Sequence, residues 1–138
     1  MSLRDEVEAE VREWYGAYVD TFVGLAQGVR TGTESLLDFY GAPLVVVVDG
    51  DHTVLPTRAA TLDWATGMID SLRHAGYAGS DISRLTVHAV AAGAAFLEGE
   101  FSRHDREGTE FGVGTGAYLA VRTAEGWRFA SFISNTQL

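Results

Sequence analysis

Cysteine is absent from the 138-residue sequence, proline occurs only twice, and basic residues are outnumbered by acidic ones. Without cysteine, the chain can have no disulfide, no thiolate nucleophile and no cysteine-based metal site. Ten basic and 19 acidic residues give a formal net charge of −9. A nucleic-acid surface needs a basic stripe that neutralises phosphates, and anionic membranes attract basic segments. The sequence therefore predicts neither nucleic acid nor a membrane as a partner.

Long apolar runs are also absent. The longest unbroken one, residues 42–48, is far too short to cross a bilayer. The first residues contain no basic region followed by an apolar stretch, so we expect no signal peptide and a cytoplasmic location. The length suits one domain, 1–138, and an apolar content of 46% is ample for its core.

Apolar residues at helical spacing predict the helices. One long helix is expected from Asp5 to about Gly28, with an apolar stripe on one side. A short helix is expected over Glu34–Tyr40 with Thr33 as its cap, and a third runs from Arg58 to about His74.

Most of the remaining sequence predicts strands. The valine-rich run Leu44–Val48 favours an extended conformation and implies burial on both faces, and an Asp-Gly turn joins it to Thr53–Leu55. From Ile82 the apolar period becomes two, which predicts a meander of four strands, at residues 82–92, 94–103, 111–122 and 127–134. The expected order is α-α-β-β-α-β-β-β-β. This order indicates an α+β fold with a cone-like, curved, mixed or antiparallel sheet wrapped around the long N-terminal helix and two further helices.

Short motifs within this order are similar to those of a known family. They are Leu36–Tyr40, Ala95–Gly99, Gly108, Tyr118 and Gly126–Phe129. With the element order, they make the chain resemble the nuclear transport factor 2-like superfamily, and more narrowly its SnoaL-like and ketosteroid-isomerase-like bacterial members. The resemblance covers nearly the whole chain. It implies the cone fold and a homodimer, but the superfamily hosts isomerases, dehydratases, cyclases, epoxide hydrolases and non-enzymatic binders, so the fold does not imply one function.

Alternation along the meander sorts its residues onto two faces of the sheet. One set is almost wholly apolar and is expected to lie under the helices. It forms a pocket wall in which Thr115 and Ser131 are the only polar groups. A mainly apolar cavity with few polar groups is typical of small-molecule sites. A β-bulge would reverse part of this assignment.

Three glycines at a spacing of two, Gly112, Gly114 and Gly116, fall on the opposite, outer face in this assignment. Glycines on one side of a strand allow another backbone or sheet to approach closely. One interpretation is therefore a homodimer that packs through the outer face of the sheet. The alternative is that the glycines let the sheet bend. A dinucleotide-binding loop is disfavoured because no helix follows to receive the phosphates.

The candidate catalytic residues are a tyrosine, two aspartates and a histidine. Tyr15 and Tyr18 on the first helix could hydrogen-bond a ligand carbonyl and stabilise an enolate, although both also suit the core. The resemblance implies such a tyrosine, matched by Tyr15 or Tyr18, and an aspartate near the second helix or the first strand, for which Asp38 and Asp49 are the candidates. His88 is the titratable candidate on a strand, because histidine changes charge near neutral pH.

The predicted ligand contacts are mostly aromatic or apolar. They are Tyr18, Trp64, Phe101, Thr115, Phe129 and Ser131. The four histidines are widely scattered, so no metal site is predicted, and no cofactor is expected. Two functions for an apolar small-molecule partner stay open. One is a cofactor-free isomerase, dehydratase or cyclase, and the other is a non-catalytic dimeric ligand-binding or interaction module.

Overall fold

A computed structural model describes residues 1–136 and the side chains of residues 1–135, so positions 137 and 138 of the predicted domain lie outside the described residues. The elements follow the predicted order. They are α1 (Leu3–Gln27), a 3₁₀ helix (Thr33–Asp38), β1 (Tyr40–Val48), β2 (Asp51–Leu55), α2 (Arg58–His74), β3 (Tyr77–Ala91), β4 (Ala94–Asp105), β5 (Glu110–Thr123) and β6 (Gly126–Thr136). The α+β class and the element order are therefore confirmed.

All six strands belong to one mixed sheet with the strand order β2-β1-β6-β5-β4-β3. Neighbouring strands are antiparallel except for β1 and β6, which run parallel. The last strand therefore inserts beside the first and joins the β1–β2 hairpin to the meander. Helix α1 lies against β3 and α2 lies against β1, so both helices cover the same face of the sheet.

Both α-helices begin and end where their local sequence predicts. The Ser2 hydroxyl accepts a hydrogen bond from the Asp5 amide at 3.1 Å, and the Asp5 carboxylate accepts one from the Ser2 amide at 3.2 Å. These hydrogen bonds lower the pKa of Asp5. Gly28, with φ of 80°, closes α1. At the start of α2, the Thr57 hydroxyl accepts from the Ala60 amide at 3.1 Å. Within the described residues, neither helix has the length and the apolar character that crossing a membrane requires.

The predicted short helix over residues 34–40 is instead the 3₁₀ helix Thr33–Asp38. Thr33 does not cap it, because its hydroxyl pairs with the Thr66 hydroxyl of α2 at 2.8 Å. The helix also stops before Tyr40, which already pairs with Phe129 of β6. Tyr40 therefore belongs to β1 and not to the helix.

Burial of β1 on both faces was a wrong prediction. Leu44 and Val46 are buried under the helices, whereas Val45 and Val47 on the other face are only half-buried. Because helices cover just one side of the sheet, the valine run has one buried face and one that reaches the surface.

The inward face of β5 is the opposite of the one predicted. Leu97 and Gly99 of β4 are buried beneath the helices, and they pair with Tyr118 and Gly116 of β5. Residues that pair across neighbouring strands share a face of the sheet. Tyr118 and Gly116 therefore face the helices, and the predicted inward residue Thr115 lies on the outer face.

A register shift reverses the faces within β6. Between the pairs Leu119–Ser131 and Ala120–Phe129, β6 has one residue more than β5. Such a bulge turns the following residues to the other side. Phe129 is inward before the bulge and Phe132 is inward after it, while Ser131 lies on the outer face.

Candidate functional site

A cavity lies between the second half of α1 and the inward face of the sheet. Its volume is about 50 Å³. One water molecule needs about 10–15 Å³ of such volume, so this slot beneath α1 has room for a few water molecules. The aromatic and positively charged residues that line the slot are Tyr15, Tyr18, Phe101, Arg103, Tyr118 and Phe132.

Glycines on the sheet leave space for the cavity because they have no side chains to fill it. Gly99 of β4 and Gly116 of β5 pair across the sheet and both line the cavity. Gly114 is buried on the same face. A Cβ at Gly116 would approach the Tyr118 hydroxyl to 3.2 Å, which is closer than an ordinary contact. Gly116 therefore borders the cavity together with Gly99, and the predicted position of the β5 glycines on the outer face is wrong.

Four tyrosine hydroxyls form two hydrogen-bonded pairs in and beneath the cavity. Tyr15 donates to the Tyr118 hydroxyl at 3.3 Å, and the Tyr18 and Tyr40 hydroxyls are 2.5 Å apart. Burial raises the pKa of Tyr15, and it raises the pKa values of Tyr18, Tyr40 and Tyr118 well above 10.0. All four phenols are therefore protonated at neutral pH and can act as hydrogen-bond donors.

Tyr118 is the phenol best placed to meet a ligand. Its hydroxyl accepts from Tyr15 and lies beside Gly116, whose missing side chain exposes it to the cavity. A hydroxyl that accepts one hydrogen bond keeps its own proton to donate. Among the described residues, no acceptor for that proton is found.

Arg103 brings a positive charge to the cavity. Its guanidinium carbon lies 4.6 Å from the centroid of the Phe101 ring, which is a cation–π contact. Its aliphatic stem runs alongside Gly112, where a Cβ would be 3.6 Å from the Arg103 Cδ. The Arg103 charge also acts to lower the pKa of Tyr18 and Tyr118, but desolvation of these buried phenols outweighs it.

With this geometry established, the comparisons with known proteins identify the family. Residues 7–137 match the family described as NTF2-like protein (DUF6841). The chain belongs to this NTF2-like family. No curated protein matches the chain.

Solved structures share the fold of this NTF2-like chain. An NTF2-like protein with a cystatin-like fold from Novosphingobium aromaticivorans is 20% identical, with a TM-score of 0.68 and coverage of 95% of this chain and 82% of the other. A ketosteroid isomerase-like protein from Erwinia carotovora atroseptica is 14% identical, with a TM-score of 0.66 and coverage of 95% and 96%. A domain of unknown function with a cystatin-like fold from Nostoc punctiforme is 13% identical, with a TM-score of 0.71 and coverage of 95% and 77%. At such identities the likeness shows the cone fold alone.

Three of the residues predicted for the site line the cavity of the NTF2-like chain. Tyr15 and Tyr18 reach it from α1, and Phe101 reaches it from β4. Two further predicted ligand contacts belong to the core instead. Phe129 is fully buried, and Trp64 packs edge-on against Tyr40 and Phe132, with centroid distances of 5.2 Å and 5.0 Å.

Thr115 and Ser131, the polar groups predicted for the pocket wall, lie on the outer face of the sheet. Thr115 pairs with Glu100, and Ser131 pairs with Leu119, whose amide donates to the Ser131 hydroxyl at 3.1 Å. Neither residue lines the cavity beneath α1. The prediction that they form its polar wall is therefore wrong.

The predicted bases lie away from the tyrosines. His88 is exposed on the outer face opposite Phe96, Asp38 is exposed at the end of the 3₁₀ helix, and Asp49 lies in the β1–β2 turn with φ of 48°. None of the three lines the cavity with Tyr15. Among the described residues, no three His, Asp or Glu side chains come together as a metal site would require.

Sequence reasoning missed Tyr118, Arg103, Gly116 and Phe132 as parts of the site. Tyr118 and Gly116 were both predicted to lie on the outer face, because they alternate along β5 in step with Gly112 and Gly114. The i, i+2 spacing between them was a usable signal, because it places the phenol above a missing side chain on the same face. The prediction that Phe132 lies on the outer face was also wrong, because the bulge in β6 turns it inward.

Proposed function

We propose that this NTF2-like protein binds a small, mainly apolar molecule that carries a hydrogen-bond-accepting oxygen. The observation that carries the proposal is the Tyr118 hydroxyl, which accepts from Tyr15 and has a proton left to donate at the cavity. Apolar walls with a few well-placed polar groups are typical of sites for small molecules.

Because the Tyr118 hydroxyl is buried, a hydrogen bond from it to a ligand contributes to the affinity. A donor in an apolar cavity loses its bonds to water and regains free energy when a ligand oxygen accepts from it. Val19 and Phe22 of α1 and Phe132 of β6 supply apolar contacts around the slot. The site therefore favours a molecule whose oxygen meets Tyr118 over a hydrocarbon of the same shape.

The second candidate is a cofactor-free isomerase, dehydratase or cyclase, and the Tyr15–Tyr118 pair is the observation that favours it. Two phenols in series can stabilise a developing enolate, and a ketosteroid isomerase-like protein shares the fold. Such chemistry also needs a base within reach. Glu100 lies at the rim, but the Arg84 guanidinium holds its carboxylate at 2.7 Å. Binding without turnover is therefore our first choice.

One pair of probes tests both candidates. Acetophenone carries a carbonyl oxygen on a flat apolar body, and ethylbenzene is its analogue without the oxygen. Titration followed by NMR should show tighter binding of acetophenone. The preference should fall by roughly two- to tenfold in Tyr118→Phe, since a neutral hydrogen bond is worth about 0.5–1.5 kcal/mol. Thr61→Val is the control, because it removes a buried hydroxyl that donates to the Gly41 carbonyl at 3.2 Å, and neither residue lines the cavity.

Turnover is tested with the same ketone in heavy water. An enzyme that forms an enolate would speed deuterium exchange at the acetophenone methyl group, and Tyr118→Phe would slow that exchange. We expect binding without faster exchange. Accelerated exchange would favour the enzymatic candidate, and equal binding of both probes would refute the proposed role of Tyr118.

We also propose that two copies associate through the outer face of the sheet. The glycines face the cavity and no longer support a dimer, but two apolar rows do. One row crosses Phe96, Leu119, Ser131 and Val45, and the next crosses Glu98, Ala117, Ile133 and Val47, so one serine and one glutamate interrupt the apolar side chains. The exposed fractions of Phe96 and Ile133 are 54% and 37%.

Exposed apolar patches of this kind mark interaction surfaces. A second copy fits as the occupant because joining the two faces buries the exposed apolar side chains of both copies. The cytoplasmic location and the lack of a nucleic-acid or membrane partner stay predictions from the sequence.

A further inference from the structure

We infer that the cavity selects a carboxylate with an apolar body about one ring long. An oxygen acceptor at one end of this ligand meets Tyr118, and the carboxylate at the other end meets Arg103. This inference rests on the proposed function and narrows its ligand to one chemical class. Three observations support the inference: the position of the Arg103 side chain, the lack of a carboxylate partner for its guanidinium among the described residues, and the distance between Arg103 and Tyr118.

The structure holds the Arg103 side chain from two sides. Its stem runs alongside Gly112, its pairing partner on β5, and its guanidinium lies over the Phe101 ring at 4.6 Å. Stacking on a ring uses the flat face of a guanidinium and leaves the N–H groups at its edge free. Those groups form a planar fork that matches the two oxygens of a carboxylate. The Arg103 side chain is therefore held in place while the N–H groups at the edge of its guanidinium stay available to a ligand.

No described carboxylate neutralises Arg103. The ion pairs found among the described side chains join Arg84 to Glu100 at 2.7 Å and Arg122 to Glu10 at 2.9 Å. Glu100, the acidic residue at the rim, is thus already paired with another arginine. A half-buried cation without a counter-ion has lost part of its hydration. A ligand carboxylate would compensate that loss in a chain that is otherwise strongly acidic.

Strand register sets the distance between the two polar groups. The Tyr118 hydroxyl lies beside Gly116, and the Arg103 guanidinium lies over Phe101, which pairs with Gly114. Gly114 and Gly116 are two residues apart on one strand, which corresponds to about 7 Å. This is roughly the length of one aromatic ring with a substituent at each end. The ligand class is therefore a ring with a carbonyl at one end and a carboxylate at the other.

Three probes that share an acetyl group test the inference by calorimetric titration: 4-acetylbenzoate, the neutral 4-acetylbenzamide and acetophenone. We expect the wild-type protein to bind 4-acetylbenzoate at least tenfold more tightly than 4-acetylbenzamide. Arg103→Gln should abolish that preference, so that the benzoate and the benzamide bind this variant equally. Arg103→Met, which keeps the stem beside Gly112, provides a second variant without the charge. High salt should reduce the preference only modestly, because a partly enclosed pair is less screened than an exposed one.

Arg106→Gln is the matched control, since Arg106 is exposed in the turn after β4 and carries the same charge outside the cavity. It should keep the preference for the carboxylate. Equal binding of the benzoate and the benzamide to the wild type would overturn the inference, and so would an equal loss in Arg106→Gln and Arg103→Gln. If acetophenone binds without any preference for the carboxylate, this inference alone fails. If none of the probes binds, the proposed function fails with it.

Discussion

The Tyr118 hydroxyl lies beside Gly116, two residues earlier on the same strand, so closely that a Cβ on the glycine would come within 3.2 Å of it. The two residues face the helices together because their β4 partners, Leu97 and Gly99, do. The missing side chain thus makes room for a phenol that lies along the strand, and the phenol hydroxyl becomes part of the cavity. The cavity depends on this glycine as much as on the tyrosine.

Replacing Gly116 with alanine should therefore weaken ligand binding more than it changes the fold. The added methyl group must push the Tyr118 hydroxyl by a few tenths of an ångström or stay strained against it. We expect the affinity for acetophenone to fall about threefold or more, a loss comparable with that of one hydrogen bond, while far-UV circular dichroism stays unchanged.

Gly67→Ala is the matched control, because a Cβ at this position in α2 would contact nothing within 4 Å. Alanine there should leave binding unaltered and stabilise the protein by roughly 0.5–1 kcal/mol. Unchanged affinity in Gly116→Ala would mean that the Tyr118 hydroxyl does not meet the ligand.

The Tyr18–Tyr40 pair should show strong energetic coupling. Both residues are buried, and removing one hydroxyl leaves the other without the partner found 2.5 Å away. A buried hydroxyl left unpaired costs about 1–3 kcal/mol. Each single change, Tyr18→Phe or Tyr40→Phe, should lower the free energy of unfolding by about that amount. The double variant should lose less than the sum, as urea denaturation would measure. Strictly additive losses would show that the two hydroxyls do not stabilise each other.

Alkaline pH should unfold the protein before any tyrosine ionises in the folded state. All five tyrosines have a pKa raised above the ordinary value of 10.0, with burial as the first cause. Above pH 10.0 the unfolded chain releases phenolic protons that the folded chain keeps. Since the folded state then binds more protons, the contribution of the tyrosines to the free energy of unfolding is constant well below that pH and falls as the pH rises, by about 1.4 kcal/mol per unit for each fully buried tyrosine.

Two spectra recorded along one titration test this. Phenolate absorbance should stay flat up to the alkaline transition and then rise together with the loss of near-UV circular dichroism. Phenolate signal that grows while the native dichroism persists would mean that at least one tyrosine is accessible in the folded chain.

Self-association should depend on Leu119, which lies on the outer face between Phe96 and Ser131. A glutamate there would bury a charge in each copy of the proposed interface, at high energetic cost. Leu119→Glu should therefore sediment as a monomer at concentrations where the wild type is a dimer. Val29→Glu adds the same charge at a side chain that is 78% exposed just beyond α1, and it should stay dimeric. A wild-type monomer at micromolar concentration would rule out the proposed dimer.

Local sequence was enough to predict the elements. The helices α1 and α2 follow from apolar spacing and from caps at Ser2, Gly28 and Thr57, which act within a few residues of themselves. The period of two in the last third of the chain predicted the meander. The short helix was predicted to reach Tyr40 but ends at Asp38, because Tyr40 pairs with Phe129, a residue far along the chain. No nearby residue carries that information.

The site residues predicted correctly are Tyr15 and Tyr18 on α1 and Phe101 on β4. Tyr15 and Tyr18 belong to a helix whose buried side is set by its own periodicity, so their inward direction could be expected. On β5 the same logic chose the wrong face. Val113, Leu119 and Val121 lie on the outer face there, and the glycines leave space on the inner one.

The amino-acid sequence alone determined the order of helices and strands, the acidic and cysteine-free character of the chain, and its resemblance to the NTF2-like family. Those properties arise from composition and from contacts between residues that are close along the chain. Only the tertiary structure decided which side of β5 and β6 meets α1. Strand pairing and one bulge set that side, and a shift of one residue exchanges the two faces of a strand. The meeting of Tyr118, Gly116 and Arg103 in one cavity is a consequence of that register.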